Sequence, residues 1–342
     1  MRPFLGLVLL VFAVAEARTA ETLDLARVNS AELKPRNFTE DTVDPVIVKA
    51  QVLLDRARFS PGEIDGKAGE NFKKALVAFE AEQGLPSTAQ LSEEVWQKLT
   101  ATSSDPVLET YTLSDDDLRG PFVKRIPKKM EEMKDLPSLG YTSPQEKLAE
   151  KFHMSEELLA ALNPGEHFDT PGHTVAVASK VASKLPAKAS RLEVDKTHQT
   201  VKVFDPGDKL LAVYPATVGS TEKPAPSGRL KVRAITKNPT YRYNPDYAFK
   251  GVRSTRPFTI KPGPNNPVGA VWIGLSPGEG FGIHGTPDPS KVSKSESHGC
   301  VRLTNWDALS LAAALTKGAA VDFYGDERDR QQRKPKAKKS RS

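Results

Sequence analysis

Between Leu192 and Ile235 short runs of alternating residues follow one another: Leu192–Asp195, Gln199–Phe204, Lys209–Val218 and Leu230–Ile235, with the turn Asp205-Pro206-Gly207 between the second and third. Period-two alternation sends successive side chains to opposite faces of a pleated strand, so runs of this kind need a sheet with something to pack against. Val271–Leu275 and Gly282–His284 read as two further strands, separated by the loop Ser276–Gly280 with its turn formers Pro277, Gly278 and Gly280. A late helix is signalled by Thr304 or Asn305 as caps, Asp307 in the first turn, and Trp306, Leu309, Leu311, Ala312 and Leu315 before Gly318. Many short strands and one late helix predict a mostly β domain of sandwich or half-barrel type.

The chemistry-bearing residues gather in the stretch 281–305. The only cysteine, Cys300, lies in Ser297-His298-Gly299-Cys300-Val301-Arg302, and His284 precedes it in Ile283-His284-Gly285-Thr286. A thiol becomes a nucleophile when a base removes its proton, and two of the six histidines fall in this window. Gly299 has no Cβ to keep a ligand from the backbone. A lone cysteine is also, elsewhere, a small inert hydrophobe. His284, His298 and Cys300 are legitimate zinc ligands as well, but no metal is expected here. Arg302 presents a planar fork suited to a carboxylate, or serves as a structural ion-pair partner. Tyr243, Trp272 and Trp306 are candidate core residues, and the first two are also candidate substrate contacts.

Asn238-Pro239-Thr240-Tyr241, Pro262-Gly263-Pro264-Asn265-Asn266-Pro267, His284-Gly285-Thr286 and the Ser297–Arg302 motif together resemble the L,D-transpeptidase catalytic domain, the YkuD family, over residues 190–325. The resemblance implies that Cys300 attacks the carbonyl of the third residue of a peptidoglycan tetrapeptide stem, releases D-alanine and passes the acyl group to an amine. It implies that His284 shuttles the proton, oriented by a carbonyl near Gly285, and that amides around Gly299 and Cys300 hold the oxyanion. Ser297 and His298 match the motif. No cofactor is implied. The same thiol and base also suit a water-using amidase or carboxypeptidase, or transfer of a stem to an outer-membrane protein, and an adhesive wall-binding protein is the non-enzymatic alternative.

Met1–Ala17 has the form of a secretory signal: Arg2, the apolar run Phe4–Val14, and the small-x-small site Ala15-Glu16-Ala17. The run is too short to span a bilayer, and one cysteine forms no internal disulfide, so an exported, periplasmic, soluble or wall-associated protein is expected. The net charge of +6 resides mainly in 326–342, where eight basic residues face three acidic ones, a local +5 that leaves about +1 for the rest. A basic balance confined to a tail is no nucleic-acid footprint. It predicts disorder there, with contact to an anionic envelope surface as an alternative. Composition leaves the oligomeric state open.

Residues 18–43 show no clear period and read as a leader. In 44–101 the periodicity is helical: Val46, Val48, Val52, Leu53 and Leu54; then Phe72, Ala75, Leu76 and Phe79; then Leu91, Val95, Trp96 and Leu99, with the turn-rich loop Phe59–Gly66 after the first helix. This three-helix unit resembles the peptidoglycan-binding domain 1 family, implying glycan contact, although Phe72 and Glu80 replace the usual Thr and Gln. Residues 102–137 read as a connector with an amphipathic helix near Lys124–Met133. In 138–180 two short helices, Glu146–Phe152 and Ser155–Leu162, and a strand Thr174–Ala178 are similar to a LysM module whose first strand is missing. A linker, 181–189, leads to the catalytic domain. The expected architecture is multidomain α+β: a small three-helix domain, a LysM-like α/β element and a mostly β, YkuD-like sandwich.

Overall fold

The computed structural model describes residues 23–220, 223–247, 252–277, 280–295, 297 and 299–325. The expected signal segment 1–17, His298 and the basic tail 326–342 lie outside the described residues. The helices are α1 (Leu25–Asn29), α2 (Pro45–Arg56), α3 (Glu70–Glu82), α4 (Glu93–Thr100), α5 (Asp115–Leu118), α6 (Met130–Met133), α7 (Pro144–Lys151), α8 (Glu156–Leu162) and α9 (Asn305–Ala314). The strands are β1 (Leu108–Thr112), β2 (Thr174–Ala178), β3 (Ala189–Asp195), β4 (Thr200–Phe204), β5 (Leu210–Pro215), β6 (Thr217–Val218), β7 (Gly228–Lys237), β8 (Tyr241–Tyr243), β9 (Phe258–Ile260), β10 (Val271–Ser276), β11 (Gly282–His284), β12 (Val301–Arg302) and β13 (Leu315–Tyr324).

Helices α2, α3 and α4 form where the periodicity predicts them. Asp44 caps α2 by accepting from the Val46 amide, with Pro45 at the first helical position. The stripe of α3, Phe72, Ala75, Leu76 and Phe79, is at most 3% exposed, and each larger side chain so buried contributes about 1.5–3 kcal/mol. The leader is no bare tether: Val28 of α1 is fully buried, and Asn29 exchanges two side-chain hydrogen bonds with the backbone of Leu108.

Two expectations for 102–180 change. Lys124–Met133 is not one amphipathic helix, because Pro127 lacks an amide and drives its predecessor away from helical geometry; only the single turn α6 remains. The strand of the expected LysM-like element finds its partner upstream, in the supposed connector. Leu108–Thr112 pairs antiparallel with Thr174–Ala178, making a strand–helix–helix–strand unit from β1, α7, α8 and β2 with residues 113–143 inserted after its first strand. This unit and the three-helix domain share one apolar core.

The nine-stranded mixed sheet runs β5-β4-β3-β13-β7-β10-β11-β12-β6. Its two edge strands, β5 and β6, are consecutive in the chain and separated only by Ala216, so the covalent connection draws the edges together and curls the sheet into a half-barrel around its own core. Helix α9, capped by Thr304, stops at Ala314 rather than Gly318. Residues Leu315–Gly318 are claimed instead by β13, which pairs with β3 and β7.

The helical domain docks onto this sheet by backbone pairing at Phe59–Val213 and onto the strand–helix–helix–strand unit at Ile64–Met154. Buried side chains pin the junction. His153 Nδ1 lies 3.0 Å from Asp55, its ring stacks on Trp306 at 5.2 Å, and Ser60 donates to Asp307 at 2.9 Å. Trp306 is therefore core, as expected.

Candidate active site

Strands β11 and β12 are neighbours and run parallel, with Ile283 opposite Val301 and His284 opposite Arg302. Because alternate residues share a face, the register places Gly282, His284, Cys300 and Arg302 on one side of the sheet. The next strand extends the same face: Trp272 of β10 stands opposite His284, and Gly274 opposite Gly282.

The glycines here make room for an indole. A Cβ on Gly282 would sit 2.5 Å from the Trp272 ring and one on Gly274 3.2 Å from its Nε1, so the indole lies over both and stacks on His284, with centroids 5.6 Å apart and planes 19° apart. Sequence reading offered Trp272 as core or as a substrate contact; it lines the cleft and supports the imidazole. The two glycines opposite each other were the available signal for this second role.

His284 is buried, with Nδ1 2.6 Å from the Gly285 carbonyl. A carbonyl only accepts, so Nδ1 carries the proton and Nε2 keeps its lone pair. Burial, reinforced by the Arg302 charge, pushes the imidazole down to about 3. Gly285 in turn is held by Asn305, whose Oδ1 would be 2.2 Å from a Cβ at either Gly285 or Gly269 and accepts from the Ala270 amide at 3.0 Å. Sequence reading saw Asn305 only as a helix cap.

Cys300 ends a tight loop. Its carbonyl accepts from Ser297 Oγ at 2.6 Å and from the Gly219 amide at 3.3 Å, and Gly299 adopts φ +97°, which favours glycine. The thiol faces the Gly280 carbonyl at 3.5 Å. Its surroundings push it up to about 11 through burial, opposed by the Gly282 amide and by Arg302. Imidazole and thiol are thus both neutral at pH 7, not an ion pair at rest. Cys300 precedes β12 rather than the tip of α9, so no helix terminus is spent on it.

These residues floor a cleft of about 950 Å³, lined also by Lys223, Pro224, Tyr241, Arg242, Phe281 and, from outside the sheet domain, Met130. The proline-bearing loop 262–267 contributes Pro267. Tyr243 does not take the substrate-contacting place expected of it. It is 2% exposed and stacked on Phe258 at 4.7 Å, while its neighbours Tyr241 and Arg242 reach the cleft.

A thiol, a neutral imidazole with an unprotonated Nε2 and a guanidinium on one face of a curled sheet can carry out acyl transfer through sulfur. The family profile of YkuD, the L,D-transpeptidase catalytic domain, matches residues 189–322, and that of PG_binding_1, "Putative peptidoglycan binding domain", matches residues 44–99. "Putative L,D-transpeptidase YqjB" of Bacillus subtilis is 30% identical over 149 residues, 42% of this chain and 76% of that protein. "Putative L,D-transpeptidase YkuD" of Bacillus licheniformis is 26% identical over 181 residues, 52% of this chain and 92% of that protein. Among solved structures, L,D-transpeptidase 1 of Mycobacterium tuberculosis aligns with a TM-score of 0.30 and 17% identity over 45% of this chain and 66% of that one. The chain belongs to the L,D-transpeptidase (YkuD) family. Beside that catalytic-family domain it carries a second one matched by the putative peptidoglycan-binding profile, and no family profile matches the expected LysM-like element.

Proposed function

We propose that this protein cross-links peptidoglycan by forming an acyl-enzyme on Cys300. The observation that carries the reading is the shared sheet face of Cys300, Gly282, His284 and Arg302 at the floor of the cleft. As the sulfur attacks the carbonyl carbon of the third stem residue, His284 Nε2 takes the thiol proton. The C–N bond to the terminal D-alanine then breaks, and the same proton passes to the departing amine. An acceptor amine attacks the thioester, gives its proton to Nε2, and the C–S bond breaks to restore the thiol. Because thiol and imidazole are both neutral at rest, deprotonation is coupled to attack, the regime in which a placed base is worth about 10²–10⁴ in rate.

The amides of Gly299 and Cys300 are the donors for the oxyanion, and Arg302 stabilises negative charge beside the sulfur. Arg302, Lys223 and Arg242 give the cleft positive walls, suited to a stem rich in carboxylates. The helical domain raises the local concentration of polymer at the thiol by holding the same mesh. Such a substrate requires an extracytoplasmic, periplasmic location. Among the described residues no helix is long and apolar enough to cross a membrane.

The test is incubation with tetrapeptide muropeptides, with and without an amine acceptor, read by mass spectrometry. Cross-linked dimers with loss of D-alanine are expected, along with a thioester adduct on the protein. Tripeptides alone would mean water is the acceptor, and unchanged stems with no adduct would overturn the reading.

A further inference from the structure

Met130 lines the cleft beside Cys300, His284 and Arg302, yet it belongs to neither matched domain, since the profiles cover 44–99 and 189–322. It sits in the stretch inserted between β1 and α7 of the strand–helix–helix–strand unit. Its position is secured on two sides. Glu131, the next residue, accepts from the Arg253 amide at 2.5 Å. Further along, Leu139 donates to the Pro262 carbonyl and accepts from the Asn265 amide, both at 2.9 Å. Gly263 lies so close that a Cβ there would be 2.0 Å from the Leu139 oxygen. The inserted stretch therefore grips the chain on both sides of β9, the partner of β8, and β8 contributes Tyr241 and Arg242 to the cleft.

We propose that Met130 is a specificity-determining residue: an apolar wall, supplied by the inserted stretch, for the aliphatic part of a peptide bound over Cys300. The chemistry fits the place. Lys223, Arg242 and Arg302 meet the carboxylates of such a peptide, and an uncharged, adaptable thioether meets its methylene segments. The wall acts on binding and leaves the reacting atoms alone. This inference rests on the proposed function, because the ligand is the stem peptide of that reaction.

The test compares wild type, Met130→Ala and Met130→Leu in the full chain. It measures kcat and KM for a tetrapeptide donor with an amine acceptor, and the iodoacetamide alkylation rate of Cys300. Met130→Ala should raise the donor KM about three- to tenfold, with kcat and alkylation within about twofold of wild type, and Met130→Leu should restore most of the KM. An unchanged KM in Met130→Ala overturns the inference while the function stands. Parallel losses of kcat and alkylation overturn it too, because the residue would then be supporting the fold. A wild type that forms no adduct and turns over no stem removes the function and this inference with it.

Discussion

Glu150 of α7 accepts a 2.8 Å hydrogen bond from Nδ2 of Asn305, joining the strand–helix–helix–strand unit to the backbone beneath the candidate active site. Both Nδ2 protons of Asn305 are engaged, the second by the Pro264 carbonyl at 3.1 Å, and Oδ1 accepts from the Ala270 amide. Its Oδ1 packs against Gly285, whose carbonyl receives the His284 proton. A contact from a distant module thus bears on the orientation of the imidazole.

Asn305→Ala should therefore cost stability and turnover together. Removing the amide leaves the part-buried Ala270 N–H without its partner and takes from Glu150 one of its two hydrogen bonds, that from Tyr141 remaining, a loss of about 1–3 kcal/mol. Thermal unfolding should show a lower Tm, and kcat should fall more than the donor KM rises. A variant with full kcat would break the link between Asn305 and His284.

Stability should decline as the pH rises from 5 to 9. Burial raises Glu150 from 4.5 to about 7, Asp307 from 3.8 to about 7 and Glu63 from 4.5 to about 8. An acid with a raised folded pKa holds more protons folded than unfolded, so its stabilisation is full below the unfolded pKa and is lost as the pH passes the folded one. Tm measured against pH should fall across that window. Glu150→Gln should flatten part of the fall, by a term on the order of 3 kcal/mol.

Cys300 should react slowly at neutral pH for a partly accessible thiol. With the thiol pushed up to about 11, iodoacetamide alkylation should keep rising from pH 7 to pH 10 with no plateau near 8.5. His284→Ala should lower stem acylation about 10²–10⁴-fold while altering alkylation at high pH little. A plateau below pH 8 would point to a resting thiolate–imidazolium pair.

Gly282→Ala should displace the Trp272 ring, because the new Cβ falls 2.5 Å from it. Overpacking of this kind costs about 1–3 kcal/mol, and the lost stacking frees His284. A drop in kcat with intact far-UV circular dichroism is expected. Trp272→Ala, made without the clash, should lower kcat in the same direction.

Much of this was legible in order along the chain. The three-helix stripe around Phe79, the strands at Val271–Leu275 and Gly282–His284, the cap at Thr304 and the Ser297–Arg302 motif are all local patterns, set by neighbours a few residues away. The strand Leu108–Thr112 was not legible, because its evident partner, Thr174–Ala178, lies over sixty residues on. Leu315 read as helix for the same reason: the apolar run continued, while the competing claim came from its pairing with Ala189 of β3, far back in the chain.

The sequence alone determined which chemistry was available: one thiol, a histidine to serve it, a guanidinium two residues on, and strands short enough to present them. Tertiary structure decided the rest. The register of β11 against β12 put Cys300 and His284 on one face, burial left both neutral, and the inserted stretch brought Met130 to the cleft. Those outcomes depend on desolvation and on pairing between residues far apart in the chain, quantities that no local period encodes.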